Sequence, residues 1–354
     1  MLEVFSELNA KYPQLDAEFS SDIKKMIDAL TQGLAMNSQE EEDGLRLGVD
    51  ISGMLLFLAV RSRSAEKGLP ALQYLRKYHG TIGAPKDLKK YLSMYLVEYL
   101  PYLAEVMTLS RENVEAYFRD ARKIIVGSDT PIELLEVYQL RALRAMGDEE
   151  KANEQAKTWR EKGWNYEASN CESCVRTQKV WVALAYQDLE QAQKLTDDWV
   201  SGELRTCTRG PADVLAAMAL ASFRAGHQAT AETYAREQEK VLSTAGAMHT
   251  WFAVIPLFEY YVEAEEWEAA QRWMEDLAPT ILSSVFSILR LRFLRGCVRL
   301  LEHYQSTTQT AVVFPPKLIP ISSQADGRYA TADLTTWMKN EVEAVEEMVA
   351  RRNA

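Results

Sequence analysis

Along the middle of the chain, apolar positions recur at three-and-four spacing, the mark of helices that bury one side. Leu134, Leu135, Val137, Tyr138 and Leu140 form one such run, and Val180, Trp181, Leu184 and Ala185 form another. Each run stops at a short break, and the breaks resemble one another. Between Ala145 and Ala152 a helix is expected to end near Gly147, turn, and resume with a small residue at Ala152. The same arrangement recurs in Tyr186 to Ala192, Ala225 to Ala231 and Ala264 to Ala269. Ala152, Ala192, Ala231 and Ala269 are spaced 40, 39 and 38 residues apart. A weaker echo lies upstream, in Ser64 to Ala71 and in Ser110 to Ala116. Ser110, with Glu112 and Asn113 close behind it, predicts a helix start.

An alanine just after the turn lets the second helix of a hairpin approach the first closely. Each pair then keeps an apolar side that it cannot bury alone, and stacking of neighbouring pairs buries it. The expected fold is all-α: a right-handed superhelix of antiparallel helix hairpins with repeats of 38 to 40 residues and a concave surface along its length. A non-repeat helical bundle is the competing architecture. Gly147 with Ala152, Ala192, Gly226 with Ala231, and Ala269 give the chain a pattern that resembles the tetratricopeptide (TPR) family. The resemblance covers roughly residues 50–280, although that family repeats every 34 residues. It implies a helical array that binds other proteins.

The ends break the pattern. Residues 1–45 read as N-terminal capping helices, 46–280 as the TPR-like array, and 281–354 as C-terminal helices. Ile281 to Tyr304 reads as one long helix. A long loop follows at 306–327, carrying Pro315, Pro316 and Pro320, and a last helix runs from about Tyr329 to Arg351. The glutamates of that last helix (Glu341, Glu343, Glu346 and Glu347) read as a solvated face.

Composition narrows the function classes. The chain is 354 residues long and sparse in the two residues that interrupt helices, with 16 glycines and 11 prolines. Its longest strongly apolar run, Met54 to Val60, is far short of a bilayer span, and the N-terminus lacks a basic region followed by an apolar one. Four cysteines are too few for a disulfide scaffold, so a cytoplasmic protein is expected. A formal charge of −11 opposes binding to a phosphate backbone. Neither nucleic acid nor membrane is therefore an expected partner; another protein is, and a basic one would suit the charge.

Cys171 and Cys174 form a C-x-x-C at one junction between repeats, and Cys207 lies at the next. Three readings stay open. A structural zinc site needs four ligands, and these residues supply three. Cys297 lies too far along, and neither His227 nor His249 has the spacing to complete it. A group of bacterial TPR-like proteins pairs such a C-x-x-C with a later Cys and a Pro-His. Here Ala212 follows Pro211 where that histidine would stand. A redox pair would need a stabilised thiolate, and Glu172 between the cysteines disfavours one. The third reading is plain packing at a loop junction.

No nucleotide-binding glycine loop and no hydrolase nucleophile motif occurs, and His79, His227, His249 and His303 stand apart from one another. No enzyme is expected. Tyr91, Tyr95, Tyr99 and Tyr102 follow helical spacing and form one stripe, read either as core or as a surface for a partner. The functional expectation is a non-catalytic scaffold that docks a partner protein in a helical groove. An immunity protein neutralising a basic toxin, a peptide-sensing regulator and an assembly adaptor are the roles that fit. The alternative class is a zinc- or redox-dependent protein centred on Cys171, Cys174 and Cys207.

Overall fold

Long stretches with helical periodicity and few breakers fold as helices wherever the chain is described. The structure, a computed structural model, describes residues 2–15, 22–37, 45–61, 65–78, 96–106, 108–126, 132–162, 172–204, 211–244, 251–282, 287–307, 311–314, 319–324 and 328–353. Its helices are α1 (Leu2–Lys11), α2 (Ile23–Asn37), α3 (Leu45–Arg61), α4 (Leu69–Tyr78), α5 (residues 96–103), α6 (Arg111–Ile125), α7 (Ile132–Ala145) and α8 (Glu149–Lys162). They continue as α9 (Glu172–Ala185), α10 (Leu189–Val200), α11 (Ala212–Arg224), α12 (Gln228–Thr244), α13 (Trp251–Glu263), α14 (Trp267–Leu282), α15 (Ser287–Ser306) and α16 (Thr331–Asn353). Two short strands, β1 (Ala311–Val313) and β2 (Arg328–Ala330), pair antiparallel with Val312 opposite Tyr329. Among the described residues no helix is long and apolar enough to cross a membrane.

The chain divides into two compact units, Met1–Ala168 and Ser169–Ala354. The stretch 46–280, expected as one array, is thus shared between them.

In the first unit, α2 and α4 both pack on α3 around Leu30, Ile51, Leu55 and Leu56, all fully buried. Gly48 lets α4 come close, since a Cβ there would lie 2.0 Å from the Tyr74 hydroxyl. Buried Asn37 is satisfied on both sides: Lys11 Nζ donates to its Oδ1 at 3.2 Å, and its Nδ2 donates to the Tyr74 hydroxyl at 3.3 Å. Ser110 caps α6 as expected, its Oγ accepting from the Asn113 N–H at 3.2 Å.

The breaks between α7 and α8, α9 and α10, α11 and α12, and α13 and α14 are built alike. Each has a residue in the left-handed region: Gly147 at φ 77°, Gln187 at 58°, Gly226 at 83° and Glu265 at 60°. In the first, the Gly147 N–H donates to Arg144 O and the Asp148 N–H to Leu143 O. The same two bonds form at Gln187 and Asp188, at Gly226 and His227, and at Glu265 and Glu266. This pair of bonds is the Schellman closure, which satisfies the last free carbonyls of a helix. The following helix opens with an N–H to O bond from Ala152, Ala192, Ala231 or Ala270 back to the residue after the left-handed one. The fourth equivalent is therefore Ala270, not Ala269, and the spacings become 40, 39 and 39. All four alanines are fully buried.

In the second unit α9 packs on α11, α11 on α13, and α13 on α15, and α10, α12 and α14 each also touch the next of these helices. The seam is apolar and close. Phe258 and Phe293 meet at 5.2 Å with their rings tilted by 41°, and a Cβ on Gly296 would lie 2.5 Å from the Phe258 ring. Bidentate ion pairs edge it, Arg224 with Glu263 and Arg292 with Glu259.

The C-terminal part departs from the sequence reading at three points. The single helix expected over Ile281 to Tyr304 is divided: Ile281 and Leu282 belong to α14, and α15 packs back along it, the Tyr304 hydroxyl donating to Gln271 Oε1 at 2.7 Å. The expected loop at 306–327 contains β1, and Phe314, Ile319 and Val312 beside it are buried; Phe314 meets Tyr329 edge-on at 6.5 Å. Tyr329 belongs to β2, so the last helix starts later, at Thr331. The glutamate face of that helix is partly engaged: Glu341 pairs with Arg290, and Glu346 pairs with Arg295 at 2.6 Å.

Two outcomes follow for stability. A side chain with a Cβ is disfavoured by about 1 kcal/mol in the left-handed region. Gln187→Gly and Glu265→Gly should each raise stability by up to about 1 kcal/mol in a denaturant titration, whereas Gly226→Ala should lower it by a similar amount. The second concerns alkaline pH. Burial pushes the phenols of Tyr234, Tyr261 and Tyr304 upward, helped in Tyr234 by its bond to Asp197 and in Tyr261 by its bond to Glu239; Tyr304 rises to about 12. A raised phenol favours the fold below its ordinary value of about 10 and loses that contribution as pH climbs through the raised one. Stability should therefore fall between about pH 10 and pH 12, with tyrosinate absorbance rising together with loss of helix. Tyrosinate signal appearing well before the helix melts would contradict it.

Candidate functional site

Three helices of the first unit make a polar groove of about 460 Å³. Its walls are α6, with Glu115 and Arg119, and α8, with Lys151, Glu154, Gln155 and Thr158. Its floor is α7, through Gln139 and the buried Leu143.

The spacing of the residues explains the walls. Arg111, Glu115 and Arg119 are four apart and so line one face of α6, a turn of about 5.4 Å between each. Asp148, Lys151 and the Glu154–Gln155 pair rise along α8 in the same way. Arg111 pairs with Asp148, and one turn on Lys151 Nζ lies 3.5 Å from Glu115 Oε1. Successive pairs advance in both helices together, so α6 and α8 run in the same direction across α7. The signs alternate from rung to rung, which also lets neighbours on one helix attract: Arg111 Nε lies 3.4 Å from Glu115, and Lys151 lies 3.5 Å from Asp148.

The third rung does not close. Arg119 and Glu154 carry opposite charges at the next position, yet among the described residues neither has an ion-pair partner. The Gln139 amide, half-buried on the floor, makes no hydrogen bond among them either. Gln155 is occupied by a bond to the Glu136 carbonyl, and Thr158 by a bond to Glu154 O. One end of the groove is a satisfied charge cluster. The other presents a cation, an anion and an amide above an apolar floor.

Asp148 does two jobs at the closed end. Its Oδ1 accepts from the Lys151 N–H at 3.3 Å, a helix cap, while Oδ2 faces Arg111 and Lys151.

The sequence-predicted site residues fare differently. Tyr99 and Tyr102 are buried, with exposures of 0% and 6%. The Tyr99 hydroxyl donates to the Ala65 carbonyl inside the first unit, and burial pushes its phenol well above the ordinary value. Both belong to the core. Tyr91 and Tyr95 lie outside the described residues, as do Cys171 and Cys207. Cys174 sits in the first turn of α9, but its side chain is not among those described. Cys297 is fully buried in α15, where desolvation pushes its thiol upward. Among the described residues no group of His, Cys, Asp and Glu could hold a metal ion. His227 is exposed at a turn, 3.3 Å from the Gln193 amide, and His303 stacks on Trp267 at 4.1 Å.

No protein-family model matches the chain. No curated protein matches it either.

The groove residues escaped the sequence reading. Their signal was present as alternating charge at Arg111, Glu115 and Arg119, but it acquires meaning only once α6 and α8 are known to be neighbours.

The cap and the charge of Asp148 are separable. Asp148→Ala should cost about 1–2 kcal/mol, and Asp148→Asn, which keeps the cap acceptor, about half of that or less. Equal losses in chemical denaturation would show that the charge, not the cap, carries the effect.

Proposed function

We propose that the chain is a non-catalytic scaffold that binds another protein, its helix hairpins forming a TPR-like superhelix. The observation that carries the reading is the recurrence of one hairpin, with the same left-handed turn, the same closing bonds and the same buried alanine every 39 or 40 residues. In the second unit the first helices of successive hairpins pack one on the next. Such stacking spreads surface along the chain rather than gathering it into one deep cleft, and an extended surface suits a macromolecular partner.

The partner is a protein with a basic surface. The net charge of −11 favours association with a positive partner and opposes nucleic acid. Neutralisation of a basic toxin, sensing of a peptide and service as an assembly adaptor share this mechanism, preorganised docking without a chemical step. The partner's identity distinguishes them.

The test is capture of the tagged, full-length chain from its native cell lysate at moderate salt, followed by size-exclusion chromatography with light scattering. The expected result is one protein in fixed stoichiometry, released progressively as salt rises. Absence of a stoichiometric partner across the salt series would overturn the scaffold reading.

A further inference from the structure

The open rung of the α6–α8 groove has a definite chemistry, and we infer that it holds an extended segment of a partner polypeptide bearing one acidic and one basic side chain. The inference rests on the scaffold reading and assigns it a contact point. Arg111 with Asp148 and Glu115 with Lys151 close the first two rungs across the groove. Arg119 and Glu154 continue the same alternation one turn further but are not joined. A bridging ligand completes the rung if it presents a carboxylate to the Arg119 guanidinium and an ammonium to the Glu154 carboxylate. The Arg119 guanidinium suits a carboxylate in particular, since its planar fork can donate two parallel hydrogen bonds.

Two further features select a polypeptide over a simple salt. Gln139 on the floor has an amide free of hydrogen bonds among the described residues, and a side-chain amide can donate to and accept from a main-chain peptide group. Leu143 beside it gives an apolar floor for the stem of a side chain. A volume of about 460 Å³ holds several residues of extended chain and far exceeds the space of a single ion. The groove is open to solvent, which suits a segment passing across it. The closed rungs at the other end fix the separation of α6 and α8, so the open one is preorganised.

The probes are two capped tetrapeptides, acetyl-Lys-Ala-Glu-Ala amide and its neutral counterpart acetyl-Gln-Ala-Gln-Ala amide. Binding to the full chain is read by saturation-transfer NMR titration at low salt. The charged peptide should bind about fivefold or more tightly than the neutral one, and the preference should shrink as salt is raised. Arg119→Ala and Glu154→Ala should each abolish the preference without moving the thermal midpoint, because both side chains are exposed. Gln139→Ala should weaken both peptides alike. Equal binding of the two peptides, no binding of the charged one, or a preference that survives both alanine variants overturns the inference. Its failure is distinguishable from that of the scaffold reading. If the captured partner binds the Arg119→Ala/Glu154→Ala double variant with undiminished affinity, the groove assignment falls and the scaffold stands. If the peptide preference appears but no partner is ever captured, the charge chemistry of the groove stands, and its assignment to a partner falls with the scaffold.

Discussion

The fold depends on reversing a helix in three residues. A tight reversal strands the last carbonyls of one helix, and only a left-handed residue lets the chain fold back to satisfy them. The turns at Gly147, Gln187, Gly226 and Glu265 all adopt this solution. Once the turn is fixed, the distance between the two helices is fixed too, and the position that meets the first helix four residues after the turn has room only for a small side chain. Ala152, Ala192, Ala231 and Ala270 occupy it. Backbone geometry thus sets the offset from turn to alanine, and the lengths of the helices and their connections set the period.

That causal order explains what was legible beforehand. Alanines recurring near a common spacing announced the hairpins, and the glycines at 147 and 226 marked two of the turns. The other two turns were legible from their alanines, but Gln187 and Glu265 hid the left-handed conformation there, because their side chains do not advertise a positive φ. Without the hydrogen bonds, Ala269 and Ala270 were indistinguishable in sequence, and the register slipped by one. The division of α14 from α15 was invisible for a related reason: apolar residues continue across it, so the pattern carries no break. The ribbon was hidden by its brevity. Three-residue strands are too short to show alternation, and the prolines between them suggested an open loop.

The site was less legible than the fold. A tyrosine stripe at helical spacing is compatible with core and with surface, and Tyr99 and Tyr102 fell on the core side, where the Tyr99 hydroxyl meets a backbone carbonyl. The groove instead uses ordinary charged residues whose importance lies in what they face. Arg119 resembles any surface arginine until Glu154 is found on the neighbouring helix, with two closed pairs beneath the pair that stays open. Local sequence records the charges and their spacing, while adjacency of α6 and α8 is a property of the packed chain.

The left-handed turns also have a mechanical meaning. In the second unit a glycine turn at 226 lies between turns that force Gln187 and Glu265 into the same conformation. Hairpins of one shape therefore store unequal strain at their hinges. Under a load that spreads the helices, the hinges at 187 and 265 release that strain on opening, whereas the hinge at 226 has none to release. Hairpins that close with the same bonds thus differ in what opening releases, and in the second unit the difference lies in three residues.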